Sequence, residues 1–307
     1  MADSVGVRRG FVMLTALWVI AVAGALALAT ERAGRNGLHA ARNRIGLEQA
    51  QWLALGCAAR ARSIVDDALS TAADDADAKN VWRLLDRHLG GTEVDSACHV
   101  QLNAAGTQLD INAASSEMLA ALLHDAATTS DPTALAAALE DWRDTDDVAV
   151  AGGAERDWYV ANRRFPPRNG PLADMRELPR VRGFESLALA GVLSVEPGRV
   201  SLATAPVAVL MAVPGIGAEA AARIIELRDA GTPVNDLADI VGTLSDDATT
   251  EFLARYADAA RLVTPDPDAW ILTATARVGF PSSAATVEWR LVRVGRATMV
   301  VRARSDS

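Results

Sequence analysis

The chain has 307 residues, half of them hydrophobic but only 5% aromatic, which supplies ample core material drawn mainly from Ala, Val and Leu and excludes disorder as the dominant state. Its 30 Lys+Arg, of which Lys79 is the single lysine, stand against 39 Asp+Glu for a net charge of -9, whereas a chain held on nucleic acid mainly by charge is normally basic. Two cysteines, Cys57 and Cys98, are too few and too far apart for a zinc ribbon or a disulfide-dense scaffold.

After MADSVGVRRG, residues 11–30 form an apolar run interrupted only by Thr15 and Thr30. About twenty residues at roughly 1.5 Å each cover the roughly 30 Å hydrocarbon core of a bilayer, so the run is expected to span a membrane. Arg8 and Arg9 precede it, while the first charges beyond it are Glu31 and Arg32. The positive-inside rule therefore puts the N-terminus in the cytoplasm and the bulk of the chain on the exported side. A cleaved secretory signal has a shorter apolar core and a helix break before its small-residue site; here residues 21–29 run on in a helical pattern, although Ala25-Leu26-Ala27 offers an Ala-x-Ala. The arrangement Arg8-Arg9-Gly10-Phe11 ahead of the run resembles the leader site of type IV prepilins and pseudopilins. That resemblance implies a cut by a prepilin peptidase between Gly10 and Phe11 and methylation of the new N-terminal Phe11. Residue 15, the fifth of the mature chain, is Thr where that family usually has Glu. A carboxylate in the bilayer is costly unless partnered, and in the family its partner is the N-terminal amine of the preceding subunit. A subunit lacking the carboxylate has no need of a predecessor, which points to a first, tip-located subunit.

Leu38, Ala41, Ile45, Leu53, Cys57, Ala61, Ile64 and Ala68 recur near helical spacing, with arginines over much of the remainder. The helix is therefore expected to continue from Phe11 to about residue 72, with Gly34 and Gly37 marking a bend or melting point. The Asp-rich stretch Thr71 to Ala78 reads as a solvated terminus. Cys98 to Leu102 and Thr107 to Ile111 alternate with period two around Gly106, the pattern of a β-hairpin whose apolar face would pack on the helix. Cys57 and Cys98 then form either one disulfide of an exported protein or two buried thiols.

From Asn112 to about Ala260 the character is helical, with Ser115 capping residues 116–123 and Pro132 to Arg143 forming a further helix. A faint repeat links Leu109-Asp-Ile-Asn-Ala-Ala before Met118 to Val200-Ser-Leu-Ala-Thr-Ala before Val209, each a short extended segment feeding a small helix. Trp270 to Val278, Ala285 to Val294 and Ala297 to Arg302 alternate as three strands. The fold class expected is α+β: a pseudopilin-like long helix on an antiparallel sheet, with an all-α domain inserted into the sheet. The boundaries are a leader at 1–10, a transmembrane helix at 11–30, helix and first strands at 31–112, the insertion at 113–264 and closing strands with a tail at 265–307.

Within the insertion, Asp144, Asp146 and Asp147 cluster before Gly152-Gly153, with Glu155 and Asp157 just beyond. Carboxylates this dense repel one another unless a cation is present, and hard oxygen donors on a loop suit Ca2+, although the EF-hand pattern is not met; the alternative on these residues alone is a solvated acidic loop. Trp142, Trp158 and Tyr159 are expected to pack beside this loop. The order Asp-Trp-x-Asp-x-Asp-Asp, Gly-Ala-Glu, Tyr159, Pro166-Pro167-Arg168, Pro171-Leu172, Glu177-Leu178 and Val181-Arg-Gly183 resembles the K-type minor pseudopilins of the type II secretion system. The resemblance implies a tip subunit, not an enzyme, that assembles with I-type and J-type minor pseudopilins and starts the pseudopilus. It also implies dependence on the prepilin peptidase and the inner-membrane secretion platform, and calcium bound in the helical domain, for which Asp144, Asp146, Asp147 and Glu155 are the ligand candidates and Asp157 stands next to them.

Two other readings compete, a minor pilin-like component of a type IV pilus and a membrane-anchored DNA receptor. The second rests on Val213-Pro-Gly-Ile-Gly217 followed by an amphipathic helix, which resembles a helix-hairpin-helix element. Between Pro197 and Val263, however, five arginines face nine acids, which removes the charge footprint that phosphate binding needs and makes the hairpin a packing turn without nucleic acid. The chain has no phosphate loop with lysine, no His-Glu-x-x-His and no Gly-x-Ser-x-Gly, and its four histidines stand singly.

Overall fold

Helix α1 runs unbroken from Gly6 to Ser70, about 100 Å of proline-free chain. The computed structural model describes residues 6–86, 98–126, 130–189, 191–279 and 282–306, so the first half of the expected leader lies outside the described residues. The bend expected at Gly34 and Gly37 is not made. Both sit inside the helix with no other element within 4 Å, and flanking Ala, Leu and Arg carry the backbone ladder across the roughly 1 kcal/mol that each glycine costs. The helix has two regimes. Its large apolar side chains from Val12 to Leu38 are exposed, whereas Ala50, Ala54, Cys57, Ala58, Ala61, Val65 and Leu69 are buried at intervals of one, three and four residues. That stripe of small side chains lets a sheet approach closely; a Cβ on Gly46 would already meet Ser283 Oγ at 2.6 Å.

Thr71 to Ala78 is more than a solvated terminus. Asp74 accepts from the backbone N–H of Asp77 at 2.8 Å and so caps a second helix, α2 (Asp75–Arg83), which buries Ala78 and Trp82. Trp82 anchors the turn: its indole donates to the Pro267 carbonyl at 2.8 Å, while the Trp270 indole donates to the Trp82 carbonyl at 2.9 Å.

The sheet that α1 packs on has four antiparallel strands in the order β1 (Cys98–Ala104), β6 (Trp270–Val278), β7 (Ser283–Val294) and β8 (Ala297–Asp306). Trp270, Leu272, Ala274, Ala276, Val287 and Leu291 point at the buried stripe of α1, as alternation along each strand requires. Cys57 and Cys98 are joined as a disulfide, with Cα atoms 6.7 Å apart, fastening edge strand β1 to the helix.

The expected hairpin is not formed. The chain does turn at Gly106, at φ +82 and so close to Arg199 that a Cβ would meet its carbonyl oxygen at 2.0 Å. Beyond the turn it enters the insertion: β2 (Leu109–Asp110) pairs in parallel with β3 (Leu193–Ser194), and β1 pairs with β6. Leu109 and Ile111 are buried in the insertion's core, not against α1, and burial decides the partner where local alternation cannot.

Apart from two parallel bridges, the regular structure of the insertion is helical. It carries α3 (Ser116–Ala126), α4 (Pro132–Arg143), α5 (Arg156–Ala161), a 3-10 turn (Met175–Arg180), α6 (Val207–Met211), α7 (Ala218–Asp229), α8 (Ala238–Val241), α9 (Asp246–Ala254) and α10 (Tyr256–Leu262). The faint sequence repeat is a real structural one. β4 (Val200–Ser201) pairs in parallel with β5 (Val263–Thr264) as β2 pairs with β3, and the N–H groups of Ala114 and Ala205 close equivalent turns onto the Asp110 and Ser201 carbonyls, each at 2.9 Å. The insertion is fastened to the sheet by Glu196, which pairs with Arg290 at 3.3 Å and with Arg302. The whole is the expected α+β arrangement, built on two separate apolar cores.

Candidate metal centre

Helix α4 begins with Asp131 accepting from Thr133 N–H and Pro132 in the first turn, and ends at Asp144. Asp141 and Asp144 are three residues apart and share one face of its last turn. Glu155 caps α5 and reaches the same place, so that one oxygen from each of Asp141, Asp144 and Glu155 lies within 4.8 Å of the others. Asp141 is completely buried and Glu155 nearly so. Asp141 Oδ1 accepts from the Val150 N–H at 3.1 Å and Glu155 Oε2 from the Arg156 N–H at 3.3 Å. Asp141 Oδ2, Asp144 Oδ1 and Glu155 Oε1 are buried with no hydrogen-bond partner.

The neighbouring acids and the helix dipole make this worse without a cation. The C-terminus of α4 carries the negative end of its dipole, and among the described residues none of the three carboxylates has an ion pair with Arg or Lys. Arg143 turns away and donates to the carbonyls of Ile111 and Ala114, the second held by its other terminal nitrogen. Burial, and then the neighbouring carboxylates, push all three acids above the ordinary carboxylate range. Gly153 is required by this packing, since a Cβ there would meet Asp141 Oδ2 at 2.0 Å. Three convergent, orphaned, acidic oxygens are a donor set that fits a hard cation such as Ca2+.

Of the ligands expected from the sequence, Asp144 and Glu155 are in this cluster and Asp146 and Asp147 are not. Asp146 is exposed and accepts from Val148 N–H at 2.8 Å, and Asp147 is exposed and accepts from Asn169 Nδ2 at 3.0 Å. Asp157 is exposed at the first turn of α5. The residue the sequence reading missed is Asp141, and the signal was present: with 132–143 read as a helix, position 141 faces the same way as 144. The aromatic residues pack as expected, Tyr159 meeting Trp142 at 5.3 Å and Trp158 at 5.0 Å between ring centroids, both edge-to-face. The Tyr159 hydroxyl accepts from Arg182 N–H at 3.0 Å, and Arg182 donates back to the Gly153 carbonyl at 2.9 Å.

The glycine hairpin ahead of α7 has a different character. Gly215, at φ +89, sits so close to Arg255 that a Cβ would meet its Cβ at 2.7 Å, and Ile216 is buried. The recess beside it, about 250 Å3, is lined by Glu219, Asp247 and Glu251, and Glu219 accepts from both Ser245 N–H and Oγ. The acids lining this recess repel phosphate, and Arg255 beside the turn is already paired with Glu117 and Asp258.

Residues 98–195, from the start of β1 to just past β3 and including the carboxylate cluster, match the family model described as type II secretion system (T2SS), protein K. Comparison with curated proteins gives no match. The fold is similar to that of a chain in the crystal structure of the GspK–GspI–GspJ complex from the enterotoxigenic Escherichia coli type 2 secretion system, with a TM-score of 0.55 and 16% identity over 87% of this chain and 99% of that one.

Proposed function

We propose that this chain, whose residues 98–195 match the type II secretion protein K family model, belongs to that family and is the minor pseudopilin at the tip of the pseudopilus. In this reading it assembles with I-type and J-type minor pseudopilins, initiates the filament and supports export of folded proteins. The observation that carries the reading is the exposed half of α1. Apolar side chains from Val12 to Leu28 stand in the open on a helix whose apolar window has a mean hydropathy of 2.4, long enough to cross a bilayer. They need lipid before assembly and other helices after it. The neighbours this reading supplies are partner pseudopilin helices.

The proposed course is insertion with the N-terminus cytoplasmic in the inner membrane and the bulk periplasmic, cleavage between Gly10 and Phe11 by the prepilin peptidase, methylation of Phe11, and delivery to the secretion platform. Thr15 in place of the family's glutamate favours a subunit that needs none ahead of it. A helical insertion of about 150 residues on one side of the sheet would obstruct a regular filament but not its end. Calcium, held by Asp141, Asp144 and Glu155, has a structural role: it neutralises three buried acids and fixes the loop between α4 and α5 against the Tyr159 cluster. The role of the chain is assembly, not catalysis.

Affinity purification of the full chain from membranes of cells carrying the whole secretion system tests this. The I-type and J-type pseudopilins are expected to co-purify in comparable amounts; their absence from a folded, membrane-extracted chain would overturn the reading.

A further inference from the structure

Behind the metal centre, α5 leads into a projecting loop that neither the anchor nor the carboxylates use. Among the described residues only two non-glycine residues have positive φ, Arg163 at 56 and Asn169 at 51, and they bracket Phe165-Pro166-Pro167. Both ends of the loop are tied down. Arg164 N–H donates to the Tyr159 carbonyl at 2.8 Å, and Asn169 Nδ2 donates to the Asp146 carbonyl at 2.7 Å. At its crest Phe165 is 81% exposed, the highest value among the large apolar side chains described. Val148, two residues beyond the Asn169 contact, is 73% exposed, and Val160 on α5 is also exposed. A rigid backbone is here holding an aromatic ring out in water.

The charge around it reverses that of the chain. Between residues 156 and 182 there are seven arginines and three acids, within a molecule of net charge -9. Four of those arginines are engaged: Arg164 with Glu185, Arg168 with Glu177, Arg176 with Asp174, and Arg182 over the Trp158 ring at 5.0 Å. The side chains of Arg156, Arg163 and Arg180 are exposed and carry no ion pair among the described residues. Arg156 lies one turn before Val160 on α5 and so on its face, and a contact from Arg164 to the Pro179 carbonyl at 3.4 Å brings Arg180 to the loop.

We propose that this loop is a docking site for an acidic protein surface, with Phe165 seated in an apolar recess of the partner and Arg156, Arg163 and Arg180 paired with its carboxylates. The residue types select a protein over a membrane. Arg and aromatic residues are enriched at protein interfaces where Lys is depleted, and the guanidinium fork pairs with carboxylates in a fixed geometry. Asp146, Asp147 and Asp157 lie beside the patch; a uniformly anionic lipid surface would repel them, whereas a patterned protein surface can avoid them. The two prolines and the anchored ends reduce the ordering cost of binding.

This inference rests on the chain acting in an assembled secretion system, and its test separates the two. Phe165→p-benzoylphenylalanine is introduced into the full chain in cells carrying the whole system and irradiated. A protein adduct with an acidic cross-linked peptide is expected. Its yield is expected to fall about tenfold or more when Arg156, Arg163 and Arg180 are all replaced by Glu, and to persist when they are replaced by Lys, the scale set by losing interfacial charge complementarity. Co-purification of the I-type and J-type partners with each variant reports that it has folded and assembled; loss of those partners from the unsubstituted chain is the separate failure of the assembly reading. With assembly intact, an adduct to lipid, an adduct indifferent to charge reversal, or no adduct would overturn the docking site.

Discussion

The α1–sheet unit and the helical insertion bury their interiors by different means. In the first, a stripe of Ala, Cys, Val and Leu on α1 faces alternating Trp, Leu, Ala and Val of the sheet, a disulfide holds the edge, and the buried polar residues Arg83 and Thr298 are partnered, by Asp266 and Asn235 and by Asp66 and Arg62. The second has a larger apolar core but also takes in Asp110, Asp141 and Glu155. One unit is complete with its own side chains. The other leaves three acidic oxygens unpartnered, the gap that the proposed cation would fill. Buried unpaired charge is among the costliest features a fold can carry, so the stability of the insertion is tied to solution conditions that leave the first unit unaffected.

The largest effect expected on either side of this contrast is Trp270→Ala. Removing a fully buried indole that also donates to the Trp82 carbonyl should cost about 3–5 kcal/mol in the α1–sheet unit, measured by urea unfolding, while leaving the response to calcium intact. Loss of that response would mean that the two units are not distinct. Replacing Cys57 and Cys98 by Ala opens a cross-link spanning 41 positions and should cost about 3–4 kcal/mol by the chain-entropy estimate, again without changing calcium affinity in isothermal titration.

On the insertion side, calcium at about a hundred times its dissociation constant should stabilise by about 2.7 kcal/mol. Asp141→Asn should abolish that gain and Asp146→Asn should retain it. The reverse pattern would move the site to the exposed loop. Gly153→Ala, which drives a Cβ onto Asp141 Oδ2, should weaken calcium binding without replacing any ligand.

The smallest effect is the pH dependence. Asp141, Asp144 and Glu155 are raised above their ordinary values of 3.8 and 4.5. The folded state then holds protons that the unfolded state has released, and without calcium stability falls as pH rises from the ordinary values through the raised ones. The exposed Asp174, Glu219 and Asp236 are shifted downward and act in the opposite sense. The relevant quantity is therefore the difference between the chain and its Asp141→Asn, Asp144→Asn, Glu155→Gln variant. That difference should shift against the unsubstituted chain as pH rises from about 5 to about 7.5 without calcium; calcium should cancel the trend. A difference that grows with pH in chelator would contradict the burial argument.

Legibility in the sequence follows the same division. The α1–sheet unit is written in periodicities, but not to the residue: of the expected stripe Cys57 and Ala61 are buried while Leu38, Ala41 and Ile45 are exposed, because the sheet covers only the later part of α1 and takes the face through Ala54, Ala58, Val65 and Leu69. Strands expected at 270–278, 285–294 and 297–302 are observed at 270–278, 283–294 and 297–306. The partner of each strand was not legible, because period two says which face is apolar and not which strand lies alongside. Leu109 and Ile111 could pack on α1 or in the insertion with the same pattern, and the second core took them. The Asp74 cap was hidden by a run of acids that also reads as solvated chain. At the carboxylate cluster the sequence showed acid density but not depth. The most exposed carboxylates, Asp146 and Asp147, look like ligands in a linear reading, while Asp141 looks like the polar end of a helix until α5 closes over it.

The claim on which the functional account turns is that this chain is processed and assembled as a pseudopilin. Intact-mass spectrometry of the full protein from membranes, with and without prepilin peptidase, tests it most directly. Loss of residues 1–10 with a methylated Phe11 in the presence of the peptidase, and an uncut chain in its absence, is the expected result. An N-terminus uncut in both, or a cut between Ala27 and Ala29, would contradict it and leave a simple membrane anchor.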